Sequence, residues 1–465
     1  MKYFILLIII CCSTFVKAQS PTFTTEQIKS DINYLQHQLE LKHAGLYTYT
    51  DMKTIFHVFD SLQNNIPGPM TELEFYAYVS PVLSVIKDGH TMIFPNTETI
   101  NYHNTNSLFF PFRILNDGEK MFVELNYSAT DLIPNGSQIL SINGINSKEL
   151  LDRLLSTMMR DGNNPSYPIW ILNWWFNEYY SYVYGHPEIF NIEYISPDGK
   201  QEVTTIKALP KEEIFANRES RYPNRQFSRT YGQKPGTAVT LTMDTKNSIA
   251  ILKIKDWDLK ILKNTYHQKL VKEIDKCFDT IFKNNIQNLI IDIRDNQGGN
   301  MVNSIHVLSY LLDTTFNMVD NFYKVDQAYS SIDDVRNKKV NGEKSYNKKV
   351  RKQVFSGKVY VLINGGCFSN SGLFASTLKR HNRAIFVGEE SGGSIYSLNG
   401  LVKTIILPET KLRVELPTLR FSINEEDKNT GHGLIPDYSI HPTIQDLVEG
   451  RDVILEKALA LIKNQ

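Results

Sequence analysis

From residue 248 onward the chain alternates short apolar runs with amphipathic stretches, and this alternation constrains the fold more than any other feature. Residues 248–254, 288–293, 358–363 and 384–387 are strand-like. Residues 262–282, 303–312 and 372–379 lie between them and carry apolar residues at three- and four-residue steps. Strands separated by helices form parallel βαβ crossovers, and strands buried on both faces are mostly apolar, as these are. An α/β domain therefore occupies the C-terminal half. The chain has 465 residues, enough for two to four domains at roughly 100–200 residues each, so the N-terminal half must supply others.

The N-terminus reads as a cleaved secretory signal over residues 1–18: Lys2, an apolar run from Tyr3 to Cys12, then Val16-Lys17-Ala18 before Gln19. The run is about half the roughly 20 residues that span a bilayer, so an exported protein without a transmembrane span is expected. Ile10 stands where a lipoprotein signal has a small residue, which disfavours anchoring through Cys11 or Cys12. Only Cys277 and Cys367 follow the signal, too few for a disulfide framework. Lys+Arg 50 against Asp+Glu 50 leaves no net field to draw a phosphate backbone, which argues against nucleic-acid partners.

Residues 19–104 read as a helical cap, with Ile28, Ile32, Leu35 and Leu39 on one face. Residues 105–210 change to short strands and turns. The order Ile133-Pro-Asn-Gly-Ser-Gln-Ile-Leu-Ser-Ile-Asn-Gly-Ile145, then a helix opened by Ser147, resembles part of a PDZ domain. Residues 170–184 insert three of the four tryptophans, expected as a helix packed between domains rather than a platform for sugar or peptide. The polar stretch 211–245 reads as a linker, the charged stretch 326–352 as a solvated loop, and 246–465 as the α/β domain.

Two strand ends carry chemistry. The strand at 288–293 runs into Arg294-Asp-Asn-Gln-Gly-Gly299, where paired glycines allow backbone N–H groups to face a cavity. The turn suits half of an oxyanion hole or a phosphate loop, but a phosphate loop needs Lys-Ser/Thr where Asn300-Met301 stand. The strand at 358–363 runs through Gly365-Gly366-Cys367-Phe368 into Ser369, at the start of a helix, where free N–H groups favour negative charge. Ser369 there suits a nucleophile, and Ser369 or Ser371 equally suits a helix N-cap. Asp292 and Arg294 also form a plausible structural pair.

Together these segments resemble peptidase family S41, the C-terminal processing and tricorn-type proteases. The matching motifs run in order through Lys87-Asp88-Gly89-His90-Thr91, Asp292-Ile-Arg-Asp-Asn-Gln-Gly-Gly299, Ser369 with Gly388-Glu389, Gly433-Leu-Ile-Pro-Asp437 and Gly450-Arg451-Asp452. The resemblance implies a multi-domain α/β fold with a ClpP/crotonase-like core. It makes Ser369 the nucleophile and gives the oxyanion hole to the N–H of Asn370 with that of Gly298 or Gly299. Ser394 stands where the processing-protease branch has its lysine, and no lysine occurs between Lys379 and Lys403. The tricorn-like branch uses a histidine, matched by His90, whose imidazole would start from a pKa near roughly 6.5. Thr430 occupies the position of that branch's glutamate, so the orienting acid is sought among Glu389, Glu425 and Glu426. The implied activity is that of an exported serine endopeptidase acting on protein or peptide, with no cofactor and no metal. The competing reading is an inactive relative that binds peptide, glycan or lipid. An acyl-CoA enzyme of crotonase type is disfavoured by the secretory signal.

Overall fold

The computed structural model describes residues 21–223, 225, 236–323, 346–347, 349–423 and 431–464. Residues 1–18, expected as a signal, and most of 326–352 lie outside them. Four helices, Thr25–Lys42, Met52–Asn64, Glu72–Val79 and Val82–Ile86, form the cap. Capping boxes at Thr24/Gln27 and Thr71/Glu74 start two of them. Ile28, Ile32, Leu35, Leu39, Phe59 and Phe75 are buried together, and Leu412, Val414 and Leu416 from the distant C-terminal half complete this core. The buried Asp31 carboxylate accepts the Glu409 N–H at 2.9 Å and the Thr410 N–H at 2.8 Å, fastening the cap to that half.

An antiparallel sheet follows, ordered Gln201–Lys207, Ile189–Ile195, Gln138–Ile142, Met121–Asn126, Phe112–Asn116. The helices Ser147–Ser156 and Ser166–Tyr184 pack on it. Trp170, Phe176, Tyr179 and Tyr180 of the aromatic helix are buried, so the insertion is mainly packing. The helix is kinked where Trp175 leaves helical geometry (φ −126°, ψ 35°).

The stretch expected as a linker is structured at both ends. Residues Lys211–Arg221 form a helix, with Glu212 and Glu213 in its first turn and Arg218 and Arg221 in its last, the charge order that suits a helix dipole. Ile214 of this helix is buried beside Phe109, Leu125 and Tyr127. One apolar anchor in a polar sequence left no periodic signal. Residues Val239–Asp244 form the edge strand of the next sheet.

That sheet is ordered Val239–Asp244, Ile249–Ile254, Asn288–Asp292, Lys358–Ile363, Ile385–Gly388, Tyr438–Ser439, antiparallel in its first pair and parallel thereafter. One face buries Leu252, Leu289, Ile291 and Val361 against the helices Leu270–Lys283, Met301–Leu308 and Asn370–Arg380. The other buries Ile290, Tyr360 and Leu362 under Ile454 and Ala458 of the helix Val453–Lys463. The helix expected over 262–282 is two helices, Leu259–Asn264 and Leu270–Lys283. The hairpin Ser397–Ile406/Arg413–Ser422 was not anticipated; Met92–Phe94 of the cap pairs antiparallel with its second strand, directly after His90.

Candidate active site

The strand Lys358–Ile363 ends in a bend that closes on itself, with Cys367 N–H donating to Asn364 O at 2.9 Å and Phe368 N–H to Asn296 O at 3.2 Å. Ser369 follows at φ 54°, ψ −121°, a conformation costly for a non-glycine residue, on the order of 1–3 kcal/mol. Its hydroxyl makes no capping bond to the helix that begins at Asn370, so the ordinary N-cap role does not account for it. Ser371, in contrast, is fully buried and its Oγ accepts the Trp257 indole N–H at 2.9 Å. Of the two serines, only Ser369 is partly exposed.

His90 lies beyond the short helix Val82–Ile86, which Lys87 terminates in the left-handed region at φ 59°. His90 Nε2 stands 3.1 Å from Ser369 Oγ across a sequence separation of 279 residues. The loop is held by its backbone: Asp88 Oδ1 accepts the His90 N–H at 3.0 Å and Asp161 Oδ1 accepts the Gly89 N–H at 2.9 Å. Behind Asp88, Thr91 Oγ1 donates to Oδ1 at 2.8 Å and the Asn399 amide donates to Oδ2. His43 Nδ1 accepts the Gly45 N–H at 3.0 Å, which leaves its Nε2–H to donate to Thr91 Oγ1 at 2.7 Å. The His90 ring leans on Phe368, centroids 4.7 Å apart, and Phe368 stacks on Tyr167 at 4.0 Å.

Burial pushes the His90 pKa down to about 4 against the opposing pull of the Asp88 charge, below the 6.5 expected from sequence. The imidazole is neutral at neutral pH and can accept a proton. Burial works to raise the Asp88 pKa, but the neighbouring His43 imidazole and the Asn399 amide outweigh it and hold the group ionised, well below the usual carboxylate range. Asp161 goes the opposite way, raised by burial and by the neighbouring Asp88 charge. His90 Nδ1 is buried and has no hydrogen-bond partner among the described residues.

The glycine turn lies against the same serine. A Cβ on Gly298 (φ 104°) would come 2.8 Å from Asn370 N, Phe368 O and Ser369 Cβ, and one on Gly299 (φ 128°) 2.3 Å from Asp258 N. Both positions require glycine. The Gly298 N–H donates to Asn296 Oδ1 at 3.0 Å, whereas the N–H groups of Gly299 and Asn370 have no acceptor among the described residues. Ser304 Oγ donates to Asn370 Oδ1 at 2.8 Å, anchoring the first residue of the helix.

Other expected residues fall elsewhere. Glu389 sits 3.6 Å from His441 Nδ1 and has no hydrogen bond or ion pair with His90, so the structure does not bring it to the site. Glu425 and Glu426 lie outside the described residues. The buried Ser394 uses its Oγ to accept the Tyr396 and Ser397 N–H groups. Arg294 donates to Asp292 Oδ2 at 2.8 Å and to Asp452 Oδ1 at 2.7 Å, so that motif ties the strand end to the C-terminal helix. Cys367 is fully buried, and burial pushes its thiol pKa up. No group of three or more His, Cys, Asp or Glu residues placed to hold a metal ion occurs among the described residues. No helix among them is long and apolar enough to cross a membrane. Asp161, Asn296 and His43 were not anticipated, and no local sequence signal marked Asp161.

Residues 248–440 match the model of peptidase family S41. That part of the chain is similar to peptidase family S41. The carboxy-terminal-processing protease of Bartonella bacilliformis is 25% identical over 240 residues, 47% of this chain and 51% of that protein. The chain thus spans about half the length of the curated relatives it matches. In fold, it resembles the crystal structure of mature CPAF with a TM-score of 0.68 at 14% identity, covering 95% of this chain and 98% of that one. Mature CPAF complexed with lactacystin gives 0.67 at 15% identity, covering 95% and 99%. These likenesses establish the multi-domain α/β fold. The S41 match includes Ser369, Gly298 and Gly299, while His90 and Asp161 precede it.

Proposed function

We propose that the chain is an exported serine endopeptidase in which Ser369 is the nucleophile and His90 the general base. The observation that carries this reading is the 3.1 Å approach of His90 Nε2 to Ser369 Oγ. Ser369 Oγ attacks the scissile carbonyl while Nε2 takes its proton, so the proton of neutral His90 resides on Nδ1. The tetrahedral oxyanion is met by the N–H groups of Asn370 and Gly299; engagement of the Gly298 N–H by Asn296 favours Gly299 as the second donor. His90 returns the proton to the leaving amine, and water then hydrolyses the acyl-enzyme by the same relay. No carboxylate among the described residues touches Nδ1, so the ring is oriented through its backbone and by Phe368.

The match of residues 248–440 to the S41 family model supports peptidase activity on protein or peptide substrates. The antiparallel sheet with its helix at 147–156 is assigned as a PDZ-like module within 105–210, and residues 1–18 as the export signal. A fluorophosphonate probe followed by peptide mapping tests the core of the reading: label is expected on Ser369, and loss of labelling is expected in His90→Ala. A native protein that takes no label at Ser369 and hydrolyses no peptide library would refute the enzyme and leave the binding protein.

A further inference from the structure

Asp161 lies outside the reacting pair, yet its carboxylate touches the supports of both members. It sits in the turn after the helix Ser147–Ser156 and is 1% exposed. Its Oδ1 accepts the N–H of Gly89, the residue before His90, at 2.9 Å. Its Oδ2 accepts the N–H of Ser394 at 3.0 Å, from a sequence distance of 233 residues. The Ser394 loop is in turn bonded to the nucleophile bend, since the Gly392 N–H donates to Cys367 O at 2.9 Å. A Cβ on Gly393 would lie 3.1 Å from Ser369 N.

The turn reinforces both attachments. The Gly162 N–H donates to Lys87 O at 2.8 Å, and Asn164 Nδ2 donates to Ser391 O at 2.7 Å. A buried carboxylate is costly unless its oxygens are hydrogen-bonded, and here each oxygen takes one backbone donor. No carboxylate among the described residues reaches the His90 ring, so the alignment of Nε2 with Ser369 Oγ depends on where these loops sit. We propose that Asp161 is a positioning residue for the reaction, with its ionised carboxylate holding the His90 loop and the Ser369 bend in register. The proposal rests on the Ser369/His90 reading.

The protonation state matters because a carboxyl oxygen that carries hydrogen presents a donor to one of the two N–H groups. Asp161 is held by burial and by Asp88 at a pKa above the usual carboxylate range, so its proton is lost at higher pH than that of His90. The surrounding charges are otherwise engaged. Asp88 faces it from the cap with His90 and His43 beyond, Lys87 Nζ donates to Asn163 Oδ1, Arg160 donates to Leu155 O, and Glu390 pairs with His432. Activity therefore rises with pH in two steps, the upper belonging to Asp161 and the lower to His90.

The test compares wild type with Asp161→Asn, whose amide nitrogen imitates the protonated state at every pH. Fluorophosphonate labelling of Ser369 in the wild type comes first; a wild type that neither labels nor hydrolyses refutes the serine reading, and the role of Asp161 falls with it. In a labelled, hydrolysing wild type, Asp161→Asn is expected to lose roughly ten- to hundredfold in kcat with little change in KM and to lack the upper pH step. A folded Asp161→Asn enzyme with wild-type kcat and the same pH profile overturns the proposal while leaving the serine reading intact. If that variant does not fold, hydrogen exchange in the wild type decides. Peptides containing Gly89 and Ser394 are expected to lose protection together as pH falls through the upper step, and unchanged protection at both overturns the proposal.

Discussion

Ser369 and Ser371 are separated by one residue, and the structure gives them opposite consequences on removal. Ser371 Oγ accepts the indole N–H of Trp257 at 2.9 Å in a fully buried setting. Ser371→Ala leaves that donor without a partner, at a cost of about 1–3 kcal/mol. Chemistry is retained, because the hydroxyl faces Trp257 and not His90. Ser369→Ala removes a partly exposed hydroxyl whose described partner is His90, and alanine at φ 54° carries the same backbone strain. Its stability should stay within about 0.5 kcal/mol of wild type. Its turnover should fall by several orders of magnitude. Urea denaturation and peptide hydrolysis on both variants give the assay. The expected pattern is an active but weakened Ser371→Ala and a stable but inactive Ser369→Ala. A stable, inactive Ser371→Ala, or an active Ser369→Ala, would refute the reasoning.

Gly298→Ala places a methyl 2.8 Å from the Asn370 nitrogen at φ 104°, so kcat should fall by about a hundredfold or more with KM nearly unchanged, measured by steady-state kinetics. His90 is buried neutral with its pKa lowered from 6.5 to about 4, so stability is lost as pH falls through that window, by up to about 3 kcal/mol for a shift of 2.5 units. The difference between wild type and His90→Ala in denaturation at pH 7 and pH 4 reads this out, and equal differences at both values would contradict it. Arg294→Met leaves the buried Asp292 without its bidentate partner and should destabilise by about 3–5 kcal/mol, seen as a lowered denaturation midpoint.

The central parallel strands and most of the helices of the C-terminal half were legible because burial on one or both faces leaves a periodic record. Lys358–Ile363 is an example, apolar from Val359 onward and buried there. The Lys211–Arg221 helix was not legible, since a single buried Ile214 makes no period. In the site, Ser369 and His90 were recognisable by motif, and the structure brings them into contact. Asp161 could not be read, because its meaning depends on partners 72 and 233 residues away. The choice among glycines was equally hidden: the Asn296 side chain occupies one N–H, and its direction is a property of the folded turn. Glu389 was misjudged because proximity in sequence to the strand end does not specify which side of it a carboxylate takes.

The separation of 279 residues between His90 and Ser369 also has a temporal meaning. At ~5–20 residues per second of synthesis, roughly 15–55 s pass between the making of one and the other. Throughout that interval the growing polypeptide carries an imidazole with no hydroxyl to activate. The hairpin strand Arg413–Ser422 that pairs with Met92–Phe94 is made later still. The reacting pair is thus dormant on the ribosome, and its assembly reports that the cap, the antiparallel sheet and the α/β domain have all docked.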